Sequence, residues 1–117
     1  MTATDTRGVA RSYLASEAAF AFVKDLHARN LIVPVVGDFA GPTALKRIGD
    51  YVRERGSVVS AFYGSNVEIY LSNRQMVSFC DNLLTLPSDS DTSFIGGKGV
   101  RPLAIKLSSC LPAPAKR

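Results

Sequence analysis

Leu31-Ile-Val-Pro-Val-Val-Gly37-Asp38-Phe39-Ala40-Gly41-Pro42 reads as an apolar strand running into a Gly-Asp turn, with a second glycine and a proline opening a helix. Such a junction sets a carboxylate and free backbone N–H groups at the C-terminal end of a buried strand, the edge at which open α/β sheets hold ligands. The run 31–36 is continuous and β-branched, without polar alternation, as suits a parallel strand covered on both faces. Pro34 removes a ladder donor, which assigns that strand to the edge of its sheet. Pro42 fits the first helical position. Leu45, Ile48 and Val52 then form a core-facing stripe that ends before Gly56. Ser57-Val-Val-Ser-Ala-Phe-Tyr63 follows as a second buried strand, so residues 31–63 are expected to make one right-handed βαβ unit.

Outward from that unit the pattern is mixed. Ser16 is placed to cap a helix carrying Phe20, Val23 and Leu26 at helical spacing, ending near Arg29 and Asn30. After Gly64, the serine of Ser65-Asn66-Val67-Glu68 precedes a glutamate by three residues, the signature of a capping box. It predicts a helix through Leu71, with a second piece from Gln75 to Leu84. Phe94-Ile95 begins a last strand that Gly96-Gly97 interrupts. The expected organisation is a flexible segment 1–12, an α/β domain over 13–95 and a basic, disordered tail over 96–117.

Composition narrows the class. A chain of 117 residues suffices for one domain. No apolar run approaches the ~20 residues that cross a bilayer, and the first residues carry no apolar signal core, so the expected location is the cytoplasm, away from membranes. Cys80 and Cys110 form no CxxC pair and have no neighbouring histidine, which argues against a disulfide framework or a zinc site. The formal charge of +4 divides unevenly: residues 1–95 carry nine basic and ten acidic side chains, and the other five basic residues follow residue 95. Without a basic face interleaved with aromatics, nucleic-acid binding is not expected.

The residues with chemical potential each have two readings. Asp38 can accept hydrogen bonds from a ribose or an adenine amino group, or it can cap its own turn. Gly37, Gly41 and Pro42 can admit an anion to a helix N-terminus, or can supply turn geometry alone. They match neither the phosphate-binding Walker loop nor the GxGxxG fingerprint. Ser65, Asn66 and Glu68 follow the second strand. Asn66 could bind a substrate polar group and Glu68 act as a base, whereas a capping box accounts for Ser65 and Glu68 without chemistry. His27, the lone histidine, has no nucleophile placed beside it by the sequence, and Asp89 and Asp91 lack the spacing of a calcium loop.

The stretches Ile32-Val-Pro-Val-Val-Gly-Asp-Phe-Ala-Gly41 and Ser60-Ala-Phe-Tyr-Gly-Ser-Asn-Val-Glu-Ile-Tyr-Leu71 carry a resemblance, supported by Tyr13-Leu-Ala-Ser-Glu17, Phe79-Cys-Asp-Asn82, Leu86-Pro87 and Ser93-Phe-Ile95. Over residues 12–95 the chain resembles an uncharacterised bacterial family whose longer members look like class I S-adenosylmethionine-dependent methyltransferases. The resemblance implies a partial Rossmann-like, three-layer α/β fold corresponding to the C-terminal half of such a protein. Residues 31–36 would be the third strand and 58–63 the fourth, separated in a complete sheet by the first and second. It further implies S-adenosylmethionine as cofactor near Gly37, Asp38 and Phe39, substrate near Ser65, Asn66 and Glu68, and no metal. No counterpart of the family's glycine-rich cofactor turn occurs in the sequence, so the implied chain is not catalytic alone. Three functions are therefore expected in turn. The first is a methyltransferase-like half-domain. The second is a small binding or assembly module whose exposed strand edge pairs with another copy or a partner chain. The third is another nucleotide-binding α/β protein that seats phosphate at Gly37–Pro42.

Overall fold

The Ser16 hydroxyl accepts a hydrogen bond from the Ala19 amide at 3.1 Å and starts α1 (Glu17–Ala28), with Glu17 favourably placed in the first turn. Asn30, at φ 55°, takes the left-handed conformation that ends the helix. The computed structural model describes residues 4–110, in two compact units that divide after Val35. In the first unit, the segment expected to be loose is ordered around Asp5. Its carboxylate accepts the Arg7 and Val9 amides at 2.9 Å and the Arg11 Nε at 3.0 Å, and Thr4 bridges Ala10. The Val9 amide above all, then the Arg11 guanidinium, holds the Asp5 carboxyl below the usual carboxylate range. Its support for this turn is therefore present above the ordinary carboxylate pKa and is lost as acid protonates it. α1 buries no residue.

The second unit contains α2 (Ala44–Glu54), β1 (Ala61–Ser65), a 3-10 turn over Val67–Tyr70, α3 (Asn73–Leu84), β2 (Ser93–Gly96), β3 (Gly99–Pro102) and α4 (Leu103–Ser108). It is an α/β structure with a three-stranded mixed sheet in the order β1-β2-β3. β1 and β2 run parallel, Phe62 opposite Phe94, and α3 lies in the connection between them. β3 returns antiparallel to β2, Arg101 opposite Phe94. Leu45, Phe79, Leu83, Leu86, Phe94 and Leu103 form the core, with Phe39, Ile48, Phe62 and Leu107 packed against it. Gly49 lets α2 approach the end of α3. An added Cβ would lie 3.1 Å from the Thr85 carbonyl oxygen, which already accepts Arg53 Nη2 at 2.6 Å.

Thr92, almost wholly buried, ties the connections together. Its hydroxyl donates to the Val59 carbonyl at 2.6 Å and accepts the Asp89 amide at 3.0 Å, while its own carbonyl accepts the Leu103 amide at 2.8 Å. Those bonds fix the entry to β1, the loop before β2 and the start of α4 at one point.

Several expectations are corrected. The run 31–36 joins no ladder, and Leu31, Val33, Val35 and Val36 are each more than half exposed. The βαβ unit is accordingly β1–α3–β2, not residues 31–63. A strand with Pro34 at its centre lacks one ladder donor, and the second strand begins three residues later than its apolar run. Ser65 and Glu68 form no capping box: Ser65 takes φ 48° and Asn66 precedes the 3-10 turn without a side-chain cap. The capping box is at Ser72 and Gln75, opening α3. The expected tail folds from Gly99 to Ser108 as β3 and α4, because Leu103 and Leu107 supply an apolar face to the core. The remainder of that tail, 111–117, and residues 1–3 of the flexible N-terminus lie outside the described residues. Cys80 and Cys110 are joined in a disulfide, their Cα atoms 5.5 Å apart. Sequence spacing concealed the pair because α3 and α4 meet only in the fold.

Candidate functional site

Asn82 is the polar residue that the core is built around. It shares a helix face with Phe79 and Leu83, is 2 % exposed, and gives both amide hydrogens to backbone carbonyls: Phe39 O at 2.9 Å and Gly41 O at 2.8 Å. A buried amide unpaired would cost on the order of 1–3 kcal/mol. Here it clamps the turn before α2. Asp38 closes the same turn from the other side, its carboxylate accepting the Ala40 amide at 2.8 Å and its carbonyl accepting the Gly41 amide at 3.0 Å. Phe39 turns inward, its ring 5.5 Å from Phe62 and 6.1 Å from Phe79. Gly37 is required by space, since a Cβ there would collide with the Ala44 side chain.

Beside this clamp lies an open cleft of about 390 Å³, lined by Gly41, Pro42 and Lys46 on one side and Ser78, Asp81 and Asn82 on the other. Thr43, which precedes α2, makes no side-chain cap hydrogen bond to the helix. The Lys46 ammonium, the Asp81 carboxylate and the Ser78 hydroxyl around an open cleft suit a small polar ligand held by hydrogen bonds. They do not include a nucleophile paired with a base.

The second set of expected site residues is distributed differently. Ser65 ends β1 at an irregularity in the ladder, and Asn66 is exposed. Glu68 is not free to act as a base: its carboxylate pairs with the ammonium of Lys106, which is 5 % exposed and lies 5.3 Å from the centre of the Phe94 ring. With 31–36 outside the sheet, Asp38 does not stand at a strand end, and the shared strand-end edge expected for Asp38 and Asn66 does not form. The structure thus gathers Gly37, Asp38 and Phe39 into one turn and places Glu68 against α4. Sequence reasoning missed Asn82 and Lys106. Asn82 was legible as an amide inside the Phe79–Leu83 stripe. Lys106 was legible only once Leu103 and Leu107 were assigned to a helix. Among the described residues no group of histidine, cysteine, aspartate and glutamate is arranged to hold a metal ion, and no helix is long and apolar enough to cross a membrane.

Residues 1–104 match a domain of unknown function, DUF7790. No curated protein matches the chain.

Asn82→Ala should destabilise the protein by about 1–3 kcal/mol, because two partly buried carbonyls lose their donor. Asn82→Asp should cost at least as much, since it sets a carboxyl oxygen against a carbonyl. Asp38→Ala, which frees one exposed amide, should cost under about 1 kcal/mol. Urea unfolding followed by circular dichroism ranks the three.

Proposed function

The chain belongs to the DUF7790 family, and we propose that it is a small α/β assembly module which binds an added β-strand along the open edge of β1. The observation that carries this reading is the one-sided pairing of β1. Its only ladder partner among the described residues is β2, while an apolar, β-branched run of similar length stays unpaired in the same chain. Unpaired edges pair with other chains unless they are short, charged or covered. β1 reads Ala61-Phe-Tyr-Gly-Ser65 and offers no charge to deter pairing. Strand addition draws affinity from main-chain hydrogen bonds. A second copy has a suitable donor in Leu31–Val36, with Pro34 tolerated on the outer edge of the enlarged sheet.

The lack of pairing between 31–36 and β1 supports a second reading. In a methyltransferase-like sheet two further strands stand between these two segments, so a half-domain of that kind leaves both unpaired. On this reading S-adenosylmethionine binds by the turn Gly37, Asp38 and Phe39, with substrate near Ser65, Asn66 and Glu68.

The polarity of β1 supplies the first test. The Ser60 carbonyl accepts the Ser93 amide at 3.0 Å, so it points toward β2, and by strand alternation the Ala61 and Tyr63 N–H groups point to the open edge. Ala61→Pro should therefore leave β1–β2 pairing intact and block the added strand. In sedimentation velocity the wild type should self-associate and Ala61→Pro should run as a monomer with an unchanged circular dichroism spectrum. Thermal unfolding separates the second reading. S-adenosylmethionine at 100-fold its dissociation constant would stabilise a methyltransferase-like site by about 2.7 kcal/mol, an effect that Asp38→Ala removes. The assembly reading predicts no dependence on this ligand.

A further inference from the structure

Six residues make α4, and Pro102 before it offers no side-chain cap. A helix this short does not stand in water by itself, so α4 persists through what it touches. Leu103 enters the core at its first turn. Beyond that turn it is attached by Leu107 against the core, by Lys106 on Glu68 and over the Phe94 ring, and by the Cys80–Cys110 bond just past its end. Cys80 is buried on α3, whereas Cys110, just past the end of α4, is only partly buried and is the more accessible residue of the pair. The family match ends at residue 104. Lys106 and Cys110 lie beyond it.

We propose that the Cys80–Cys110 disulfide is a redox latch on α4, independent of the assembly edge, which controls whether Lys106 stays paired with Glu68. A dithiol reductant opens it in two exchanges. A thiolate of the reductant attacks the Cys110 sulfur, the S–S bond breaks, and Cys80 leaves as a thiolate that takes up a proton. The second thiol of the reductant then displaces Cys110 as a thiol, and the reductant departs as its own disulfide. Two electrons and two protons pass to the protein. With the latch open, the last turn of α4 is held by Leu107 and by Lys106, through its pair with Glu68 and its contact with the Phe94 ring. A buried pair repays its desolvation only while its geometry is kept. The end of α4 leaves the sheet, the Lys106 ammonium enters water, and Glu68 becomes a free carboxylate next to Asn66 on the turn after β1. Oxidation reverses each step. The reduced state thus presents the acid that the oxidised state conceals.

Trypsin reads the latch directly, because it cuts after Lys106 only when that side chain is accessible. Native protein is digested briefly with and without dithiothreitol, and cleavage after Lys106 is measured by mass spectrometry relative to cleavage after Lys46. Reduction should raise the relative rate at least tenfold, reoxidation with oxidised glutathione should restore protection, and Cys110→Ser should be cut rapidly in both conditions. Circular dichroism should show a cooperative thermal transition retained in all forms. Three results would overturn the proposal. Equal cleavage before and after reduction would show that α4 does not depend on the bond. Alkylation of both cysteines in unreduced protein would show that the bond does not form. Loss of the cooperative transition on reduction, or in Cys110→Ser, would make the bond a staple of the whole unit and not a latch.

Discussion

Phe62 and Phe94 face each other across the β1–β2 ladder, ring centres 5.8 Å apart and planes within 4° of parallel. Most of the second unit is arranged around this contact. Phe79 brings α3 against Phe62, Phe39 brings the turn before α2 against both, and Lys106 and Arg101 lie over Phe94 from α4 and β3. Aromatic pairs in such geometry add about 0.5–1.5 kcal/mol beyond the area they bury. Their larger effect here is positional. With the register fixed at Phe62 opposite Phe94, β2 is committed to β1 on one side and β3 on the other, and the far side of β1 has no strand partner among the described residues.

Two consequences follow from that commitment. The turn carrying Gly37, Asp38 and Phe39 becomes part of the core wall, clamped by Asn82 through two carbonyls. Its polarity is spent largely on itself, and the adjoining cleft is shaped by Lys46, Ser78 and Asp81. The run 31–36, meanwhile, finds no sheet to enter and keeps its β-branched side chains in water. Contiguous exposed apolar surface on a small domain marks an interaction site more often than a defect. On the proposed reading, an open edge and an unpaired apolar run in one sequence make a matched pair of such surfaces.

Local signals in the sequence were reliable where local chemistry decides the structure. Ser16 capped α1, Gly56 stopped α2, and the piece from Gln75 to Leu84 lies within α3. The assignments that depended on long-range pairing did not follow from pattern. A continuous apolar run at 31–36 satisfies the description of a buried strand equally well whether or not a partner strand is present. Ser65 and Glu68 had the spacing of a capping box, but the left-handed backbone at Ser65 sent Glu68 toward Lys106 instead. The basic residues after 95 looked like a solvated tail. Counting charge concealed the apolar spacing of Leu103 and Leu107, which is what folds that segment. Of the expected site residues, Asp38 was readable as a turn-former. Asn82, the clamp on its turn, required seeing an amide as part of an apolar stripe. Membership of a domain family of unknown function supplies no chemistry beyond these residues.

The central claim is that the outer edge of β1 is a pairing surface, and amide hydrogen exchange measured by NMR over a range of protein concentrations tests it residue by residue. The Phe62 amide, directed into the sheet, should be protected throughout. The Ala61 and Tyr63 amides should exchange rapidly in dilute protein and become protected as concentration rises, because the added strand supplies their acceptors. Exchange at Ala61 and Tyr63 that stays rapid at every concentration, with Phe62 protected, would contradict self-pairing at this edge.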